Sequence, residues 1–208
     1  VMGIDLHKLL GQGKASDLQS RKNVPYPANP NLMLGLVLGE AAKHGKDKLT
    51  FLAEGFAGSL VPWLEQLIAE SSGKEGKGIL PIANEPVLVS RNYPEDRIFI
   101  YFKTDGSKAG LVDELKQAGQ IVITIAIPEP YALAKEFYRW EYATAIACAV
   151  LRVNAFDQPN VQLSKTITKD VINAYQKSGK LEEGEPIWEN DQAIVYGFRN
   201  EEALKETD

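Results

Sequence analysis

The first segment able to support acid–base chemistry is a predicted helix that ends in a glycine–lysine turn. Gln66 and Glu70 stand four residues apart, which places both side chains on one face of that helix. A carboxylate there can act as a general base, and a neighbouring amide can orient a substrate. Taken alone, the pattern is more typical of a solvated helix face. A phosphate loop is excluded because Gly73-Lys74 is followed by Glu75, where that motif needs Ser or Thr.

A second segment, 154–165, carries a dense set of amide and hydroxyl side chains. Asp157 and Pro159 are typical of a turn, and Ser164 could cap a following helix. By itself this segment predicts a connection between two helices and identifies no function.

Metal and disulfide chemistry find little support in the sequence. His7 and His44 are the two histidines, and neither has a spacing to Cys or carboxylates that indicates zinc. Cys148 is the single cysteine and lies in an apolar run, which predicts a buried thiol and no disulfide framework. We therefore expect no metal, no cofactor and a cytoplasmic location.

The length, composition and net charge of the chain limit the classes of protein to which it can belong. A chain of 208 residues with 44% hydrophobic and 25% charged residues can bury a core, which excludes disordered and fibrous classes. A net charge of −5 argues against a nucleic-acid partner. The apolar runs are shorter than the roughly 20 residues that cross a bilayer, so no membrane association is expected.

The elements that position the two segments follow from hydrophobic periodicity. Residues 1–10 read as a helix already under way without a cap, so the chain could be a piece of a longer protein. Strands and helices alternate, which predicts an α/β fold with a mainly parallel sheet covered on both faces. The predicted strands are 49–53, 79–82, 97–103, 120–127 and a last one at 194–198. The predicted helices are 30–43, 60–72, 108–118, 131–152 and one from Ser164 or Thr168 to Ser178.

Together the two segments resemble the phosphoglucose isomerase family. The most specific stretches are 63–78, 139–144 and 154–165. The similarity is greatest to the isomerase half of bifunctional transaldolase/glucose-6-phosphate isomerases, in its carboxy-terminal sugar-isomerase (SIS) subdomain. The resemblance implies a three-layer α/β/α sandwich followed by carboxy-terminal helices. We expect one SIS-type domain over 1–208, with a core of about 30–165 and a helical extension over 166–208.

The resemblance also implies roles for particular residues. Glu70 matches the family glutamate that moves a proton between C1 and C2 of an open-chain sugar through a cis-enediol. Lys165 matches the lysine that assists ring opening and stabilises oxygen charge, seven residues after the glutamine of Phe-Asp-Gln. Gln66, Gln158 and Ser71 match substrate-binding positions.

The match to the family has gaps. No histidine follows His44, although the family places one at the sugar ring. Asn160, Gln162 and Ser164 replace the glycine, glutamate and glycine of many members. The family's phosphate-binding loop belongs to sequence that would precede Val1. We therefore expect an amino-terminal SIS subdomain of the same parent chain as a partner, a homodimer, a sugar phosphate as substrate, and little or no turnover by the isolated chain.

Three other interpretations stay open. SIS folds also occur in regulators that bind sugar phosphates without chemistry, although such a sensor has no use for a carbon-acid base. The enediol mechanism would also permit a broader isomerase that accepts mannose 6-phosphate. A dimerisation domain using the apolar helix 131–151 would place Trp140 and Tyr142 at an interface, but so broad an apolar surface predicts a core helix.

Overall fold

The computed structural model describes residues 3–86, 93–181 and 184–197. The chain divides into two compact units, Val1–Gln158 and Pro159–Asp208. The helices are α1 Leu6–Ser20, α2 Pro30–Lys43, α3 Val61–Ser72, α4 Ala109–Gln117, α5 Leu133–Leu151 and α6 Pro159–Ser178. The strands are β1 Lys48–Ala53, β2 Leu80–Ile82, β3 Arg97–Lys103, β4 Ile121–Ala126, β5 Trp188–Glu189 and β6 Ile194–Val195.

The first unit is built on a parallel sheet of four strands in the order β2-β1-β3-β4. Helix α3 connects β1 to β2, and α4 connects β3 to β4. Each of these helices follows one strand and precedes a parallel one, so it runs back along the sheet and ends beside the start of the next strand. The predicted parallel α/β architecture is confirmed.

Strand β3 faces helices on both sides. Its residues Ile98, Ile100 and Phe102 pack in a core cluster with side chains of α2, α3 and α5. The alternate residues Phe99 and Tyr101 pack in a second cluster with side chains of α4. Because successive side chains of a strand point to opposite faces, the first unit has three layers, as the SIS-type prediction requires.

Helix α5 is a core helix. Trp140 is fully buried, and its ring meets those of Phe51 and Phe102 edge-on at centroid distances of 5.8 and 6.0 Å. Tyr142 is half-buried and stacks on Tyr138. The prediction that Trp140 belongs to the core is confirmed.

Helices α2 and α5 approach closely at two glycines of α2. A Cβ atom on Gly35 would lie 2.5 Å from the carbonyl oxygen of Ala143 and 2.6 Å from Cβ of Ile146. A Cβ atom on Gly39 would lie 2.7 Å from Cβ of Val150. A side chain at either glycine would therefore force the two helices apart.

Glu54 follows β1 and is a buried carboxylate with five hydrogen-bond donors around it. Its side chain accepts hydrogen bonds from the hydroxyl of Tyr101 and from the backbone N–H groups of four residues after β3, namely Thr104, Asp105, Gly106 and Lys108. Burial alone would raise the pKa of Glu54, but these hydrogen bonds outweigh it and hold that pKa well below the usual range. Burial and the bond to Glu54 raise the pKa of Tyr101 to about 12.

The amino-terminal helix differs from its prediction. Asp5 caps α1, since its side chain accepts a hydrogen bond from the backbone N–H of Lys8, so the expectation of an uncapped helix was wrong. The helix continues to Ser20, beyond the predicted segment 1–10. Ser16 and Ser20 are buried there and accept hydrogen bonds from the amide of Asn31, so polar residues form part of the packed face.

The second unit consists of α6 and the antiparallel pair β5 and β6. Helix α6 begins at Pro159, not at Ser164 or Thr168, because proline is well tolerated in the first turn of a helix. No side chain of α6 is buried, and the first unit ends at Gln158. Strand β6 ends at Val195, and Phe198 of the predicted strand lies outside the described residues.

Candidate active site

The structure brings together three of the five predicted site residues. Gln66 donates a hydrogen bond from Nε2 to Oε1 of Glu70 over 3.2 Å. Gln158 donates from Nε2 to Oε2 of the same carboxylate over 3.0 Å, although it is 88 residues away in the chain. The Glu70 carboxylate is therefore held at both oxygens by amides from two different segments, which we call the Glu70 cluster.

The Glu70 cluster is open to solvent, since all three of its side chains are exposed. A carboxylate has about four lone-pair positions, and the two amides occupy one on each oxygen. Each oxygen therefore keeps a position at which it can accept a proton. This arrangement orients a base and leaves it reachable by a ligand.

The end of α3 fixes where Glu70 lies. Ser72 is buried, donates to the carbonyl of Ile68 over 2.7 Å, and accepts from the backbone N–H of Ile79 over 2.9 Å. The serine thereby joins the last turn of α3 to the residue before β2. Glu70 lies in that last turn, so the Glu70 cluster lies at the edge of the sheet where the strands begin. Ligands of open α/β sheets usually bind at the opposite edge.

A tight turn follows α3 and presents Lys74. The backbone of Lys74 and Lys77 exchanges two hydrogen bonds, at 3.1 and 2.9 Å. The two residues between them, Glu75 and Gly76, have φ angles of 56° and 70°. Positive φ at both central positions defines a type I′ turn, which returns the chain sharply after the helix.

Lys74 is a site residue that sequence reasoning missed. Its side chain is buried, and its ammonium donates to the backbone carbonyls of Asn154 and Asp157 and, over 2.8 Å, to Oδ1 of Asp157. The bond from Lys74 lowers the pKa of the Asp157 carboxyl below its ordinary value. Lys74 lies within the stretch 63–78 that resembles the family, but that resemblance assigned it no role.

The segment that carries Gln158 has its own internal bonds. Helix α5 ends at Leu151, and the next residue, Arg152, has a left-handed φ of 58° that turns the chain out of the helix. Asn154 then accepts from the backbone N–H of Phe156 at 3.0 Å and donates to Oδ2 of Asp157 at 3.1 Å. Gln158 is thus the last residue of a loop held by side-chain hydrogen bonds.

The other two predicted residues are Ser71, in the first unit, and Lys165, in the second. Ser71 is half-buried, and its carbonyl accepts a hydrogen bond from Sγ of Cys148. Burial raises the pKa of the Cys148 thiol. Lys165 is an exposed residue of α6 in the second unit. The roles of all five residues stay predictions.

Metal-binding clusters and membrane spans are both absent from the described part of the chain. Within residues 3–86, 93–181 and 184–197, no group of three or more His, Cys, Asp or Glu side chains is arranged to hold a metal ion. None of the helices in those ranges is long and apolar enough to cross a membrane.

The sequence is similar to those of named enzymes. It is 27% identical over 165 residues to a glucose-6-phosphate isomerase of Leptospira interrogans, covering 60% of this chain and 36% of that protein. It is 24% identical over 238 aligned residues to a glucose-6-phosphate isomerase of Parabacteroides distasonis, covering 90% of this chain and 50% of the relative. The chain is a relative of the glucose-6-phosphate isomerases. It spans about half or less of the length of these relatives, and no family model matches it.

Solved structures show the same fold. A hypothetical protein from Thermus thermophilus superposes with a TM-score of 0.67 at 22% identity, covering 82% of this chain and 51% of that one. A glucose-6-phosphate isomerase from Chlamydia trachomatis superposes with a TM-score of 0.56 at 15% identity, covering 82% of this chain and 43% of that one. This glucose-6-phosphate isomerase relative thus has the predicted SIS-type α/β fold.

Proposed function

We propose that this chain is the carboxy-terminal catalytic part of a glucose-6-phosphate isomerase. It would interconvert glucose 6-phosphate and fructose 6-phosphate in glycolysis and gluconeogenesis. The observation that carries the proposal is the Glu70 cluster: Glu70 is held at both oxygens by Gln66 and Gln158, the residues that the family resemblance assigns to the substrate. The relatedness to enzymes of that name supports it.

The chemistry requires one base that acts at two neighbouring carbons. Glu70 removes the proton from C2 of the open-chain aldose, the electron pair forms the C1–C2 double bond, and the C1 oxygen gains a proton, giving a cis-enediol. Collapse of the enediol gives a carbonyl at C2, the O2 proton leaves, and Glu70 returns its proton to C1. A positioned base of this kind contributes roughly a hundredfold to ten-thousandfold in rate.

Other residues would assist at the substrate. The ammonium of Lys165 would help ring opening and stabilise negative charge on the enediol oxygens. Gln66, Gln158 and Ser71 would contact the sugar phosphate. Because the Gln66 and Gln158 amides hold the carboxylate on one side each, small shifts of either segment would move the base relative to C1 and C2.

The proposal also covers the partners of the chain and its location in the cell. An amino-terminal SIS subdomain of the same parent chain would complete the site, the enzyme would be a cytoplasmic homodimer, and a transaldolase could precede it. The exposed position of Glu70 supports the need for a further covering element. The isolated chain is therefore expected to turn over glucose 6-phosphate weakly or not at all.

The test compares Glu70→Gln with Glu65→Gln in the full-length protein that carries this chain. Glu65 is an exposed residue on the same helix and outside the Glu70 cluster, so its substitution controls for the loss of one surface charge. In a coupled assay, Glu70→Gln should lower kcat at least about a hundredfold with substrate binding largely retained, and Glu65→Gln should leave kcat unchanged.

Several outcomes would contradict the proposal. Binding of glucose 6-phosphate without turnover by the unmodified protein indicates a sugar-phosphate sensor. Equal turnover of mannose 6-phosphate indicates a broader isomerase. Unchanged turnover by Glu70→Gln removes Glu70 from the proton transfer.

A further inference from the structure

Lys74 holds the loop that carries Gln158. Its side chain is 5% exposed, yet the three oxygens that it contacts all belong to residues 154–157. Two of these oxygens are backbone carbonyls, so the contact fixes the path of the loop as well as a side chain. A buried ammonium with three oxygen partners has its donors satisfied, as burial of a charge requires.

The position of Lys74 connects this contact to Glu70. The turn that presents Lys74 begins directly after α3, and Glu70 lies in the last turn of that helix. Gln158 follows Asp157 directly and donates to Glu70. The helix end and the loop are therefore joined at two neighbouring points: a bond between opposite charges whose ammonium is buried, and an exposed bond from an amide to a carboxylate.

The two contacts differ in strength. In the bond between Lys74 and Asp157 both partners are charged and the ammonium is shielded from water, whereas in the bond between Gln158 and Glu70 only the carboxylate is charged. The amide of Gln158 is exposed and competes with water for Glu70. The buried contact is therefore the one that can keep the loop in place.

We propose that Lys74 is a positioning residue, whose buried ammonium fixes the 154–158 loop so that Gln158 stays at the Glu70 carboxylate. The catalytic consequence rests on the proposed function, because it assumes that Glu70 is the base. Lys74 itself touches no substrate in this scheme. It acts through Gln158.

The test uses Lys74→Met in the full-length enzyme, with Lys77→Met as the matched control. Lys77 is an exposed lysine at the other end of the same turn. Lys74→Met should lower kcat/KM about tenfold to a hundredfold, since small misplacements of positioning groups have effects of that size. Lys77→Met should stay within about twofold of the unmodified enzyme, as expected for a surface substitution.

A double-mutant cycle separates positioning from general damage to the fold. If Lys74 acts through Gln158, then Lys74→Met should cause little further loss of kcat/KM once Gln158→Ala is present. Additive losses would mean that Lys74 acts elsewhere and would overturn the proposal. If Lys74→Met does not fold, Asp157→Asn serves instead, because Asp157 is half exposed and its substitution leaves no buried cavity.

Hydrogen exchange tests the contact independently of activity. The backbone N–H of Phe156, bonded to Asn154 within the loop, should exchange at least about tenfold faster in Lys74→Met than in Lys77→Met. Equal exchange rates would refute the role of Lys74 in holding the loop. Full turnover by Glu70→Gln would instead refute the proposed function, and the exchange result would still decide the structural part.

Discussion

The close contact of α2 with α5 predicts that Gly35→Ala destabilises the protein. Alanine favours a helix interior over glycine by about 0.8–1.0 kcal/mol. The new Cβ would lie 2.5 Å from a backbone oxygen of α5, so the helices must separate, and overpacking of this kind costs about 1–3 kcal/mol. Because the obstructing atom is backbone, we take the upper value and expect a net loss of about 2 kcal/mol in the free energy of unfolding.

Gly11→Ala provides the matched control for this prediction. Gly11 lies within helix α1, and a Cβ atom there would meet nothing within 4 Å. The same substitution should therefore stabilise the protein by up to about 1 kcal/mol. Urea unfolding, with the slope checked for constancy, measures both variants. A Gly35→Ala variant as stable as the unmodified chain would refute the reasoning.

Two further predictions concern buried polar side chains. Glu54→Gln replaces an acceptor oxygen by an NH₂ group that faces hydrogen-bond donors. It should lower the free energy of unfolding by about 3 kcal/mol. The exposed control, Glu65→Gln, should change that free energy by less than about 0.5 kcal/mol. The pKa of Glu54 in the folded protein lies below its ordinary value of 4.5. The ionised Glu54 therefore stabilises the fold fully above pH 4.5, and this stabilisation is lost as the pH falls further. The free energies of unfolding of Glu54→Gln and of the unmodified protein should accordingly converge in acid. Ser72→Ala removes the acceptor for the backbone N–H of Ile79 and should lower the free energy of unfolding, measured by chemical denaturation, by about 1–3 kcal/mol. A loss below about 0.3 kcal/mol would contradict this prediction.

Features set by local periodicity were predictable from the sequence. Strand β3 has the predicted bounds, Arg97–Lys103, because a continuous apolar run between polar residues fits a strand buried on both faces. Gln66 and Glu70 share a helix face because they are four residues apart. Gln158 could be placed with them only through the family resemblance, since no local pattern links residues that distant in sequence.

Features set by contacts between distant backbone atoms were not predictable. The partners of Lys74 include carbonyl oxygens, which every residue has, so no residue type in the sequence points to them. The sequence likewise does not show that Glu54 accepts hydrogen bonds from four backbone N–H groups, because nearly every residue has such a group. The start of α6 was misplaced because Pro159 and Ser164 both fit a helix start, and the sequence has no means of choosing between them.

The surroundings of Glu54 bear on which end of the sheet can receive a ligand. Four converging backbone N–H groups form a receptor of the kind that elsewhere binds phosphate or carboxylate. In this protein the anion bound there is the carboxylate of Glu54, which belongs to the chain itself and lies where the strands end. An external anion could bind there only by displacing the Glu54 carboxylate from its five hydrogen bonds. The proposed chemistry at Glu70 lies at the opposite end of the strands, where Glu54 does not interfere with a ligand.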